Sequence, residues 1–400
     1  MKPEISLKKL DSNHFDYQQL LYRLLLVLFF LVIAYRIYAC FQVPLKTTDA
    51  LRNLGYASHA LDNNFAIYNT KGTDFAPEIW TLLPWTKIPF QYPPVTLIFF
   101  YAFSFFGLVG IFWVKLTLTL IELASAYLFY KHISKVAAIL FFCAPVSVFY
   151  TSLEGQFEAL AALFTILNAI AVQDKHWRRA GFFFVISIQV KQFAILIFPW
   201  MFYEMWRQRS SDSFISILQK VSQGAVIGFL PFLGYYLQKP DLFFLPFSTI
   251  GHLANDNLFA WNFLSDKQSS ELILKKLWYS LFTYAPLIIL LFVIIYERKT
   301  LRTIVSFVPL SSFFFIMKSV KLAVPWYLIF SPSLLFCFSQ KKTLICLLLV
   351  IHFMQSLPYT IQAVVPNSFM AQSLSQQEIY LMKPCMFICD LNLKPLRQKI

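Results

Sequence analysis

Carboxylates and lysines placed beside long apolar runs are the residues of this chain best suited to chemistry. Asp49 follows Lys46-Thr47-Thr48 just beyond the first apolar run. One partly desolvated carboxylate at the mouth of a cavity can take the proton from a hydroxyl nucleophile. An Asp in that setting is equally suited to start a helix. Asp62, Asp74 and Glu78 share the stretch and read as solvated loop acids. Glu154-Gly155-Gln156-Phe157-Glu158 offers two carboxylates and an amide around a glycine, a composition that also serves an ordinary interhelix turn. Lys191-Gln192 interrupts an apolar block. A cation there needs a counter-charge or an anionic ligand, and a lipid phosphate, Glu154 or Glu158 would each serve, unless the side chain snorkels to the interface. Lys318 and Lys321, beside Pro325-Trp326-Tyr327, pose the same choice. Tyr92, before Pro93-Pro94, and Asn255-Asp256-Asn257 complete the polar set.

The elements that position these groups are membrane helices. Of the 400 residues 58% are hydrophobic, 45 are Phe and only 14% are charged, which excludes an ordinary soluble surface. The net charge of +14 sits in small basic clusters between apolar runs, the pattern of cytoplasmic loops, so nucleic acid is not an expected partner. The six Cys read as small apolar fillers, with no second Cys or His pair at zinc spacing after Cys385 and Cys389. No metal site is indicated, and the ten Gly leave little material for a nucleotide-binding loop. No cofactor is expected, although a divalent cation is left open. The basic N-terminus precedes a retained first helix, and no glycosylation sequon occurs, which leans towards a bacterial inner membrane.

The expected fold is all-α: a polytopic transmembrane bundle of about 11–13 segments by the length rule. Residues 1–400 form a single integral-membrane domain, with cytoplasmic tails at 1–20 and 390–400 and outer loops at 42–94 and 238–276. Leu21–Phe41 is the first span, and Asp49–Leu61 an amphipathic helix. Val95–Phe106 is too short to cross and reads as re-entrant. Gly110–Tyr130, Val136–Tyr150 and Phe157–Val172 follow as spans. Gly181–Trp206 reads as two short helices broken near Lys191, and Ile217–Leu237 as the next span. Later spans are expected at Leu277–Tyr296, Leu301–Met317, Trp326–Ser339 and Thr343–Leu357. This path gathers the polar stretches outside and the basic clusters inside.

In order and spacing, these stretches resemble the GT-C superfamily of integral-membrane glycosyltransferases, especially bacterial Gpi18-related mannosyltransferases and dolichyl-phosphate-glucose-dependent glucosyltransferases. The matching residues are Asp49, Tyr92-Pro93-Pro94-Val95-Thr96, Glu154 to Glu158, Lys191-Gln192, Asn255-Asp256-Asn257 and Pro325-Trp326-Tyr327-Leu328. The resemblance implies a periplasmic active site, a polyprenyl-phosphate sugar donor and Asp49 as catalytic acid of the first outer loop. The family often carries a pair of acids there, whereas this chain continues with Ala50, so Asp49 acts alone or with Asp62, Asp74 or Glu154. Donor phosphate would then fall to Lys191, Gln192, Lys318 and Lys321. Sugar and acceptor would fall to Tyr92, Glu154, Gln156, Glu158, Asn255, Asp256 and Asn257. The expected reaction is inverting transfer of a hexose, by default mannose, to a lipid-linked or cell-envelope glycan. The rival reading is a transporter or lipid-carrier flippase, which needs polar lining through the whole membrane thickness and often internal repeats; the polarity here falls on one side.

Overall fold

The computed structural model describes residues 17–41, 49–62, 90, 92–144, 147–208 and 213–238. Expectations for Asp74, Asn255, Asp256, Asn257, Lys318, Lys321 and the spans after residue 238 lie outside the described residues, as does the side chain of Asp49. Within them the protein is an all-α bundle, and no strand occurs among the described residues. Among the described residues, three helical stretches are long and apolar enough to cross a membrane: Tyr22–Phe41, Gly110–His132 and Phe214–Leu237, the last continuing through a 3₁₀ turn.

The first helix, α1, runs Tyr17–Phe41 and leaves Leu24, Phe30 and Leu31 exposed, as a lipid-facing surface requires. Helix α2 (Asp49–Asp62) is amphipathic and buries Ala50, Asn53, Leu54, Ala57 and Ala60 along one stripe. It lies against α3 (Pro94–Ser104), an eleven-residue helix begun by a proline at its first position. Such a helix is too short to span about 30 Å of hydrocarbon. Helix α4 (Gly110–His132) is about 35 Å long, enough to span it. It turns at Ile133-Ser134 into α5 (Lys135–Cys143), where the Ser134 hydroxyl accepts from the Ala137 N–H at 3.1 Å as an N-cap.

The segment expected as one span from Val136 to Tyr150 is broken. Helix α5 ends at Cys143, and a six-residue π turn follows at Val148–Leu153. The physical reason is Pro145, which has no N–H to give to a continuing helix. Helix α6 (Glu158–Gln173) runs back against α7 (Trp177–Val190).

The expected interruption near Lys191 is present. Lys191 takes an extended conformation, a 3₁₀ stretch follows at Gln192–Ile197, and α8 (Phe198–Arg207) continues from it. The Asn168 amide on α6 donates at 2.8 Å to the Ala180 carbonyl near the start of α7 and at 3.4 Å to Met201 on α8. The chain therefore reverses at Lys191, and α8 returns towards the end of α7 that holds Ala180.

Helix α9 (Phe214–Phe229) crosses α7 with backbones touching. A Cβ at Gly181 would stand 2.0 Å from the Val221 carbonyl oxygen, and one at Gly224 would stand 1.8 Å from that of Arg178. Only small residues allow so close a crossing between membrane helices. A 3₁₀ turn at Leu230–Phe232 and the short helix α10 (Leu233–Gln238) complete the described chain.

Candidate functional site

The chain reversals sort the bundle into two ends. Helix α1 is antiparallel to α4 and parallel to α5: Arg36 meets Glu122, while Tyr22 meets Lys135 and Phe29 meets Phe142. Glu158, at the start of α6, meets Lys191 at the end of α7. One end therefore holds the start of α2, Tyr92, residues 154–158 and Lys191-Gln192. The other holds Lys131, His132, Lys135, Lys175, His176, Arg178 and Arg179, all exposed.

At the first end, Glu154, Gly155, Gln156, Phe157 and Glu158 are all buried. Gly155 has φ +70°, a conformation that L side chains rarely adopt, and it admits close neighbours as well. A Cβ there would lie 2.8 Å from Ala50 Cβ and 3.2 Å from Lys115 Cγ. The first turn of α2, which Asp49 opens, thus rests on this turn. The Gln156 N–H closes the turn by donating to the Tyr150 carbonyl at 2.8 Å.

Both carboxylates of the turn face lysines from elsewhere in the chain. Glu158 accepts a charge-assisted bond from Lys191, both side chains almost fully buried. Glu154 supplies counter-charge to Lys115, which is fully buried on α4. Such pairing is what makes buried charge tolerable. Lys191 is also boxed by aromatic faces, with its ammonium 5.3 Å from the Tyr92 centroid and 4.7 Å from that of Phe157. The Tyr92 and Phe157 rings meet edge to face at 4.6 Å. Arg52, in the first turn of α2, donates to the Tyr92 hydroxyl at 3.2 Å and lies 5.8 Å from its ring. Thr96 on α3 donates to the Val190 carbonyl at 2.6 Å and fixes the approach to Lys191. Gln192 is buried at the start of the 3₁₀ stretch.

Of the residues expected from sequence, the structure brings together Tyr92, Glu154, Gln156, Glu158, Lys191 and Gln192, with the backbone of Asp49 at their edge. Asp62 ends α2, the far end from Asp49. Four further charged residues were not singled out from sequence. Arg52 and Lys115 belong to this end of the bundle. Arg36 and Glu122 form a buried ion pair between α1 and α4. A signal for Arg36, Lys115 and Glu122 was present, since a charge inside an apolar span is itself a functional cue. They also revise the expectation that polarity is confined to one side, because Glu122 lies about 18 Å along α4 from Gly110. Among the described residues, no three His, Cys, Asp or Glu side chains converge as metal ligands would.

Buried acid–lysine pairs beneath the amphipathic α2, in an all-helical membrane bundle, mark a candidate functional site. Residues 90–218 match the model of glycosyltransferase family 87, which supports a membrane glycosyltransferase. The matched region includes Tyr92, the 154–158 turn and Lys191-Gln192, and leaves out Asp49, Arg52 and Arg36. No curated protein and no solved structure matches the chain.

Proposed function

We propose that the protein is an inverting glycosyltransferase of the bacterial inner membrane. It moves a hexose, by default mannose, from a polyprenyl-phosphate carrier to a lipid-linked or cell-envelope glycan at the periplasmic face. The observation that carries this reading is the coincidence of two facts. The segment matched by the glycosyltransferase family contains the acid–lysine turn, and that turn underlies the helix that Asp49 opens.

The phosphate of the donor is already a competent leaving group, so one base suffices. Asp49 takes the proton of the acceptor hydroxyl as its oxygen forms a bond to the anomeric carbon. The bond from that carbon to the phosphate oxygen breaks on the opposite face, and the polyprenyl phosphate leaves with the electron pair. Cations at the departing phosphate stabilise its charge where water is excluded. Lys191 and Gln192 are proposed for this role, with Lys318 and Lys321 from the later chain; a phosphate beside Lys191 shares that cation with Glu158. Tyr92, Glu154, Gln156, Glu158 and Asn255-Asp256-Asn257 are proposed to hold sugar and acceptor.

The test is to incubate the purified full chain with a panel of polyprenyl-phosphate sugars and follow which one loses its sugar. Asp49→Asn is expected to leave donor binding intact and to lower transfer at least about 100-fold. Wild-type turnover in that variant removes Asp49 as the base. Release of no sugar from any donor by the wild-type protein removes the reading itself.

A further inference from the structure

We infer that Arg36 and Glu122 act as a positioning pair that fixes the Val148–Leu153 π turn and thereby sets Glu154 and Gln156 beneath α2. The functional half of this inference rests on the glycosyl-transfer reading above; the structural half stands alone. Both side chains are wholly buried, and their contacts reach well beyond each other. One guanidinium nitrogen of Arg36 donates to Glu122 and, at 3.0 Å, to the Ser152 hydroxyl. The other donates to the Phe142 carbonyl at 2.6 Å and to the Ser147 hydroxyl. Ser147 in turn donates to the second oxygen of Glu122 at 2.7 Å. The pair therefore grips the chain before the π turn, at its entrance and near its exit.

A π turn is rare and occurs mostly as a single turn at functional sites, so what supports it matters. Here the support comes from α1 and α4, elements that do not adjoin the turn in sequence. The line of contacts continues towards the site. Ser152 and Thr119 share a 2.9 Å hydroxyl contact, and Thr119 donates to the Lys115 carbonyl at 2.8 Å, one turn along α4. Lys115 is the counter-charge of Glu154 and touches the position of Gly155. A pair needed only to join α1 to α4 would gain nothing from this geometry. In hydrocarbon surroundings two apolar side chains join helices as well as a desolvated ion pair does.

The test uses that equivalence. Single substitutions strand a buried charge and threaten folding, so the informative protein is the double variant Arg36→Met with Glu122→Met in the full chain. Amide exchange of the peptide spanning residues 148–158 is expected to quicken at least about tenfold, with exchange in α6 and α7 unchanged. Turnover with the polyprenyl-phosphate sugar is expected to fall about 10- to 100-fold, while binding of sugar-free polyprenyl phosphate, proposed to rest on Lys191, is unchanged, as misplacement of the groups that hold the sugar requires. Unchanged exchange across 148–158 overturns the inference, and so does faster exchange at undiminished kcat. If the wild-type protein transfers no sugar, the proposed function fails, while the exchange measurement still decides whether this pair holds the turn.

Discussion

At the scale of single residues, Lys191 carries two demands that experiment can separate. It neutralises buried Glu158, and it is the cation proposed for the donor phosphate. Lys191→Met alone leaves a desolvated carboxylate, which costs about 3–5 kcal/mol of stability. Adding Glu158→Gln to that variant is expected to recover most of the loss, as read by chemical unfolding in detergent. Donor affinity follows the other demand and is expected to stay weakened in both variants in a titration with polyprenyl-phosphate sugar. A stable single variant would contradict the buried pair, and wild-type donor affinity in the double variant would contradict the phosphate role. Glu158 was among the partners that sequence offered Lys191, because a lone cation in an apolar block must find something. The tie between Arg36 and Glu122 was not readable in the same way. Arg36 shares its hydrophobic run with Arg23 and Glu122 shares its own with Lys115, and 86 positions separate Arg36 from Glu122, so only tertiary packing names the partner.

Among the elements, those set by local rules were the legible ones. The amphipathic stripe gave α2 from Asp49, and the structure closes it at Asp62 where Leu61 was expected. The break at Lys191 was readable from the polar residues inserted in an apolar run. The π turn was not, since hydropathy alone cannot tell a continuous helix from a broken one of similar length; Pro145 was its only local trace. The close crossing of α7 and α9 makes a sharper claim. Gly181→Ala forces a methyl group against the Val221 backbone and is expected to cost at least about 3 kcal/mol. Gly234→Ala on α10 has open space around it and is expected to be neutral or to stabilise by about 0.5–1 kcal/mol. Thermal midpoints of the two variants in one detergent compare them directly, and equal midpoints would remove the backbone contact.

For the molecule as a whole, the described chain has a polar, acid–lysine end and an exposed basic end. Under the proposed function, the bias of lysine and arginine towards cytoplasmic loops predicts that the 154–158 turn faces outward. A cysteine placed at Lys175, on a background lacking the native cysteines, is expected to react with a membrane-impermeant thiol reagent only in inverted vesicles. Labelling in intact spheroplasts would reverse the orientation and put the proposed site in the cytoplasm. The separation of a basic end from an acid–lysine end was readable from sequence because it depends on charge counts in loops and on no particular contact.

The backbone contact of α7 with α9, made near Arg178 at the basic end, also bears on the route that an isoprenoid carrier would take under the proposed function. Helices that meet carbonyl to Cα leave no slot for a hydrocarbon tail, so lateral admission from the bilayer is closed along that seam. A carrier of the proposed kind would then use another flank, such as the side of α1 on which Phe30 is 65% and Leu31 63% exposed.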